Sequence, residues 1–110
     1  MNLNLDQLAD QFVFWNLNKI SYGYLELTDY KGKKFFFGNK NSSLNAQIKI
    51  NDPSFSLKIL RGGSSSLGES YINSEFETND LTSLIELSAR NINVTYQFSG
   101  LLKLPFIQRV

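Results

Sequence analysis

The sequence predicts an α+β domain: an N-terminal helix, an antiparallel β-meander, then three short helices packed on one face of the sheet. Three observations predict it. Apolar residues recur at helical spacing over residues 3–20. Hydrophobicity then alternates with a period of two in short runs separated by turn residues. Three helix-start signals follow, at Asp52-Pro53, at Ser66-x-x-Glu69 and around Thr78–Asp80.

In the first segment, Leu5, Leu8, Phe12 and Trp15 fall on one helical face, which is the expected buried stripe. Asp6 and Asp10 suit its positive N-terminal end. "YGYLELTDY" reads as the first strand, and Asp29 with Gly32 in "DYKGKK" reads as a turn. "FFFG" gives the second strand. "NAQIKIN" gives the third, with Ala46, Ile48 and Ile50 on one side. The short connections suggest that the three pair as a meander.

Asp52 can accept hydrogen bonds from the free amides of the second helix, and Pro53 suits its first turn. Gly62 or Gly63 is expected to end that helix in a left-handed conformation. Ser66 and Glu69 have the spacing of a capping box for the third helix. In the fourth, Asp80 lies in the first turn. Leu81, Leu84, Ile85 and Ser88 share a face, Arg90 suits the C-terminal end and Asn91 is a C-cap. "NVTYQF" alternates like a strand, and the apolar end "GLLKLPFIQRV" reads as a surface meant for a partner.

Composition narrows the chemistry. The chain has 110 residues, a net charge of +1 and 42% hydrophobic content, which suits one domain with a core. Cysteine and histidine are absent from the sequence. That excludes thiolate chemistry and a Ser-His-Asp triad, and it removes the side chains that most often hold transition metals. The near-neutral charge argues against a nucleic-acid partner.

"GGSSSLGES" has the glycine spacing of a phosphate-binding P-loop, but Glu69 stands where the lysine should be. At ~4 Å and an effective dielectric of ~20, that reversal turns an attraction of about 4 kcal/mol into a repulsion of similar size. Ser64, Ser65 and Ser66 lack a general base of the usual kind and read as loop and cap residues. Lys31, Lys33 and Lys34 form a basic tip. Such a tip is ordinarily a solvated turn; at a membrane each charge would attract anionic headgroups by ~1 kcal/mol.

A further set of residues carries a family resemblance. It runs through "ISYGYLELTDYKGKKFFFG", Asp52-Pro53, Gly68-Glu69-x-Tyr71, Asp80-Leu81 and Asn91. In this order they resemble the N-terminal domain of the cyclopropane-fatty-acyl-phospholipid synthase family, methyltransferases that use S-adenosylmethionine on membrane lipids. Ser74 and Phe76 depart from it, standing where that family commonly has Gly and Trp. The order of elements is also similar to sterol-carrier-protein-like domains, which implies helices on one face of the sheet and an apolar cavity or groove.

The resemblance implies a non-catalytic domain over residues 1–92, with 93–110 beginning a linker to a C-terminal catalytic domain. S-adenosylmethionine would bind that second domain, and no catalytic, cofactor or metal residue is assigned in this chain. Gly68, Glu69, Tyr71, Asp80 and Leu81 would serve in capping, packing or interdomain contact. The implied partners are the catalytic domain, a phospholipid or membrane surface, and a second copy of the chain. The implied location is the cytoplasm, peripheral at the inner face of the membrane. Two alternatives stand beside this reading: a free-standing carrier of a hydrophobic ligand, and a structural module that docks domains or subunits.

Overall fold

In a computed structural model, the protein is described for residues 4–62 and 64–95. Helix α1 spans Leu5–Leu17, followed by strands β1 (Tyr24–Thr28), β2 (Lys34–Gly38) and β3 (Asn45–Ile50). Helices α2 (Phe55–Gly62) and α3 (Ser64–Ile72) come next, then a two-residue strand β4 (Phe76–Glu77). The described chain closes with α4 (Leu81–Arg90) and a single turn, α5 (Ile92–Thr95). The class is the expected α+β.

The sheet has the order β2-β1-β3-β4. It is mixed, which corrects the expected meander: β1 pairs antiparallel with β2 but parallel with β3, and β3 pairs antiparallel with β4. The chain leaves β2 and crosses past the start of β1 instead of turning back along β2. Two glycines allow this close crossing. Gly23 and Gly38 both have φ in the left-handed region, at 86° and 88°. A side chain on Gly38 would run into the Gly23 carbonyl oxygen. The Asn39 amide donates to that same oxygen at 2.9 Å, and the Tyr24 amide donates to Leu44.

One sheet face is apolar and carries the helices. Leu25, Leu27, Phe37, Ala46, Ile48 and Ile50 are buried there, and register places Leu25 between Phe37 and Ala46. The other face is polar and exposed, with Tyr24 stacked on Phe36 and Lys34 bridged to Glu26 at 3.0 Å. This alternation is what a half-buried strand requires.

Helix α1 buries a different stripe from the expected one. Ala9, Val13, Asn16 and Leu17 face inward, whereas Leu5, Leu8 and Trp15 are exposed. Apolar residues lie on both sides of this helix, and the smaller set fits against α2 and the sheet. Phe14 adds a ring contact to Phe35 at 4.8 Å. Asn4 caps the helix reciprocally with Gln7.

Asp52 accepts from the Ser54 amide at 2.9 Å, but α2 begins at Phe55, so Asp52 and Pro53 lie in the turn ahead of the helix and not at its cap and first turn. Gly62 does not adopt the left-handed conformation, and Gly63 lies outside the described residues. Ser66 falls inside α3, which corrects the capping-box expectation, since that helix begins at Ser64. Ser74 is the non-glycine residue with φ in the left-handed region, at 58°, ahead of β4. Asp80 is the N-cap of α4 and sits just outside its first turn, accepting from the Ser83 amide. Asn93–Thr95, expected to begin a strand, belong to α5. Residues 96–110, which hold the rest of the expected linker, lie outside the described residues.

Candidate functional site: an apolar cavity between the sheet and the helices

Between the sheet and the helices lies an apolar cavity of about 610 Å³, open at one side. Its floor is the inner sheet face, with Leu25, Leu27, Ile48 and Ile50. Val13 and Leu17 of α1, Phe55 and Ile59 of α2, and Leu84 and Leu87 of α4 form the walls. The rim is set by Tyr71, Ile85 and Ile92, which are all substantially exposed. Among the described residues, no Asp, Glu, Lys or Arg side chain lines it.

The folding logic that builds this site starts from α4. The Asp80 cap fixes where α4 begins, and Asn91 fixes where it ends. The Asn91 side chain is 1% exposed and accepts from the amides of Ser21 and Tyr22, each at 3.1 Å. It donates to the Tyr22 and Leu87 carbonyl oxygens at 2.7 and 2.8 Å. The carboxamide thus ties the C-terminus of α4 to the chain entering β1, so Leu84 and Leu87 are held over β3.

On the far side, α3 packs on α2 and is anchored by rings: Tyr71 lies 5.6 Å from Phe76, which lies 5.3 Å from Phe55. Lys58 of α2 donates to Asp52 at 2.6 Å and to Glu75 at 2.8 Å, joining the helix to the segment that leads into β4. The hydrogen bond from Lys58 holds both carboxyls below their ordinary range, and these partners push the lysine up.

One polar group on the cavity wall stands apart. Ser56 is 1% exposed, and its hydroxyl is turned to a carboxyl of α1, that of half-buried Asp10. Burial pushes the Asp10 pKa up, and the Ser56 hydroxyl partly offsets that.

Of the sequence-predicted residues, Gly68, Tyr71 and Leu81 line this cavity. Glu69 does not. It is exposed and borders a separate polar depression of about 330 Å³, with Lys58, Arg61, Ser66 and Glu75. Both charge signs meet there, which gives no phosphate cradle. Asp80 serves as a cap on the exposed side, bonded to Ser83.

Lys31, Lys33 and Lys34 lie at the β1–β2 turn, held by Asp29, which accepts from the Lys31 and Lys33 amides. Lys34 is engaged by Glu26, and Lys31 and Lys33 lie over the rings of Tyr30 and Phe35. Sequence reasoning missed Ser56. Its signal was a lone hydroxyl between Phe55 and Leu57, in a helix whose neighbours are apolar.

Among the described residues, no group of three acidic, histidine or cysteine side chains could hold a metal ion, and no helix is long and apolar enough to cross a membrane. Comparison with protein-family models, with curated proteins and with solved structures gave no match.

Proposed function

We propose that this chain is a non-catalytic domain that seats a single aliphatic chain between its sheet and its helices. The cavity carries this reading. It holds about 610 Å³ and is open at its rim, so its apolar walls meet water. A long hydrocarbon filling it would take those walls out of water, and the volume lies within the ~300–1,000 Å³ range of ligand sites. The exposed rim of Tyr71, Ile85 and Ile92 gives such a chain an apolar entrance.

The cavity favours a lipid-seating domain or a hydrophobic carrier over a purely structural docking module, which needs no interior space. The sequence resemblance adds a context in which the domain presents an acyl chain to an S-adenosylmethionine-dependent catalytic domain of a lipid-modifying methyltransferase. That context rests on the motif through Gly68, Glu69, Tyr71, Asp80 and Leu81, of which three line the cavity.

Titration with a fluorescent fatty-acyl probe, without membranes, tests the core of the reading. Saturable binding at one probe per chain is expected. Absence of saturable binding would overturn it. Vesicles containing anionic phospholipid test the membrane role. Retention should weaken when Lys31, Lys33 and Lys34 are neutralised, and retention that ignores those changes would remove the lysine tip from the account.

A further inference from the structure

Helix α1 leaves an apolar stripe open to water. Leu5, Leu8 and Trp15 are 56%, 46% and 62% exposed, and half-buried Phe12 completes the row. Their helical spacing is that of a face meant for burial, yet the buried face of α1 is that of Ala9, Val13 and Leu17. Lys19 lies over one side of the Trp15 ring at 3.9 Å, which covers a small part of the stripe. A contiguous apolar patch of this kind marks a contact surface.

Three kinds of occupant could cover it. A membrane surface fits poorly. Helix α1 carries Asp6 and Asp10 and no Lys or Arg, whereas helices that lie on membranes carry cations on their polar face. A second copy also fits poorly, because a stable interface takes ~20–30 residues a side and the stripe is one short row.

The third occupant is the chain itself. Residues 96–110 lie outside the described residues and follow directly on α5. Helix α5 packs against α1, with Val94 buried, so the chain is delivered beside the stripe. The sequence that follows carries Leu101, Leu102, Leu104, Phe106 and Ile107. Leu101 stands far enough past Thr95 to reach ~20 Å at ~3.3–3.6 Å per extended residue, and α1 itself is about 20 Å long at ~1.5 Å per residue. A tethered segment also acts at an effective concentration in the millimolar range, which no free partner of ordinary abundance matches.

We propose that residues 101–107 dock on the α1 stripe of the same chain, over Leu8, Phe12 and Trp15. Two apolar sets then leave water together. This contact does not depend on what the cavity holds.

Trp15 is the single tryptophan of the sequence, so its fluorescence reports on the stripe. In the full chain, its emission should lie to the blue of N-acetyl-tryptophanamide in water. Acrylamide should quench it weakly, and neither property should change with protein concentration. Leu101→Asp, Leu102→Asp and Leu104→Asp, made together in the full chain, should move the emission to the red and raise the quenching to that of an exposed indole. Leu104→Ala alone should lower the docking constant at least about tenfold, and it keeps the test open if the triple variant fails to fold.

Quenching of the unmodified chain as strong as that of the free amide overturns the assignment. So does protection of Trp15 that neither the triple change nor Leu104→Ala weakens. Protection that grows with protein concentration gives the stripe to a second copy, and protection that appears only with anionic phospholipid vesicles gives it to a membrane; either result overturns the assignment.

Discussion

The Asn91 carboxamide accepts from two backbone amides and donates to two carbonyl oxygens, with three of the four bonds reaching 69 or 70 residues along the chain. No other side chain type of that size offers both functions in one plane. Asn91→Ala would strand the Ser21 and Tyr22 amides in a part-buried place. A loss of about 2–4 kcal/mol is expected, measured by denaturant unfolding, because each unsatisfied buried group costs ~1–3 kcal/mol. A loss below about 1 kcal/mol would mean that water or a shifted backbone replaces the bonds. At this scale the sequence was partly legible. Asn91 was readable as a helix cap, since asparagine after a basic last turn is a stop signal. Its long-range partners were not readable, because nothing in a linear pattern marks which distant amides lack a mate.

Elements show where local signals suffice and where they fail. Helix α4 was legible at both ends through Asp80 and Arg90-Asn91, whose roles are local hydrogen bonds and charge. The buried face of α1 was not, because its residues offer two apolar stripes and only tertiary contact chooses between them. Strand β4 has two residues, too short for any period to register.

The crossing between β2 and β3 was also hidden, although its two glycines were in view. Their importance lies in a backbone approach that only the assembled sheet creates. Gly38→Ala should therefore be among the most damaging single-methyl changes in the chain. It combines a left-handed φ of 88° with a collision against the Gly23 carbonyl. Loss of the cooperative unfolding transition, or at least about 3 kcal/mol of stability, is expected. A near-neutral effect would indicate a different path between these strands.

The Lys58 pairs give a pH test at the same scale. Asp52 and Glu75 are held below their ordinary values of 3.8 and 4.5. Their stabilising contribution is present above those values and is lost as pH falls through the lowered ones. Lys58 is pushed up, so it stays charged over that whole range. Lys58→Met should thus be less stable than the parent at neutral pH, and the gap should close on acidification. Denaturant unfolding at neutral and strongly acidic pH checks it; a gap that does not narrow would show that the pairs contribute nothing measurable.

At the scale of the whole molecule, the apolar sheet face and the helices above it enclose more space than their side chains fill. The sequence anticipated the layer of helices, because strict alternation in "NAQIKIN" leaves one face to cover. It did not locate the cavity. A lining leucine and a packed leucine look alike in a sequence, and only the assembled fold separates them.

Leu84 decides between those two conditions. It is 5% exposed, lines the cavity and sits on α4, so a larger side chain there cannot simply turn out to solvent. In a close-packed core, Leu84→Trp would force strain costing ~1–3 kcal/mol or more. In a cavity it fills space that the ligand would take. The most direct measurement is the acyl-probe affinity and the melting temperature of Leu84→Trp, taken on the same preparation. A hydrophobic-ligand cavity predicts that probe affinity falls at least about tenfold while the melting temperature holds or rises. Unchanged affinity, or a fall in melting temperature as steep as overpacking causes, would contradict it.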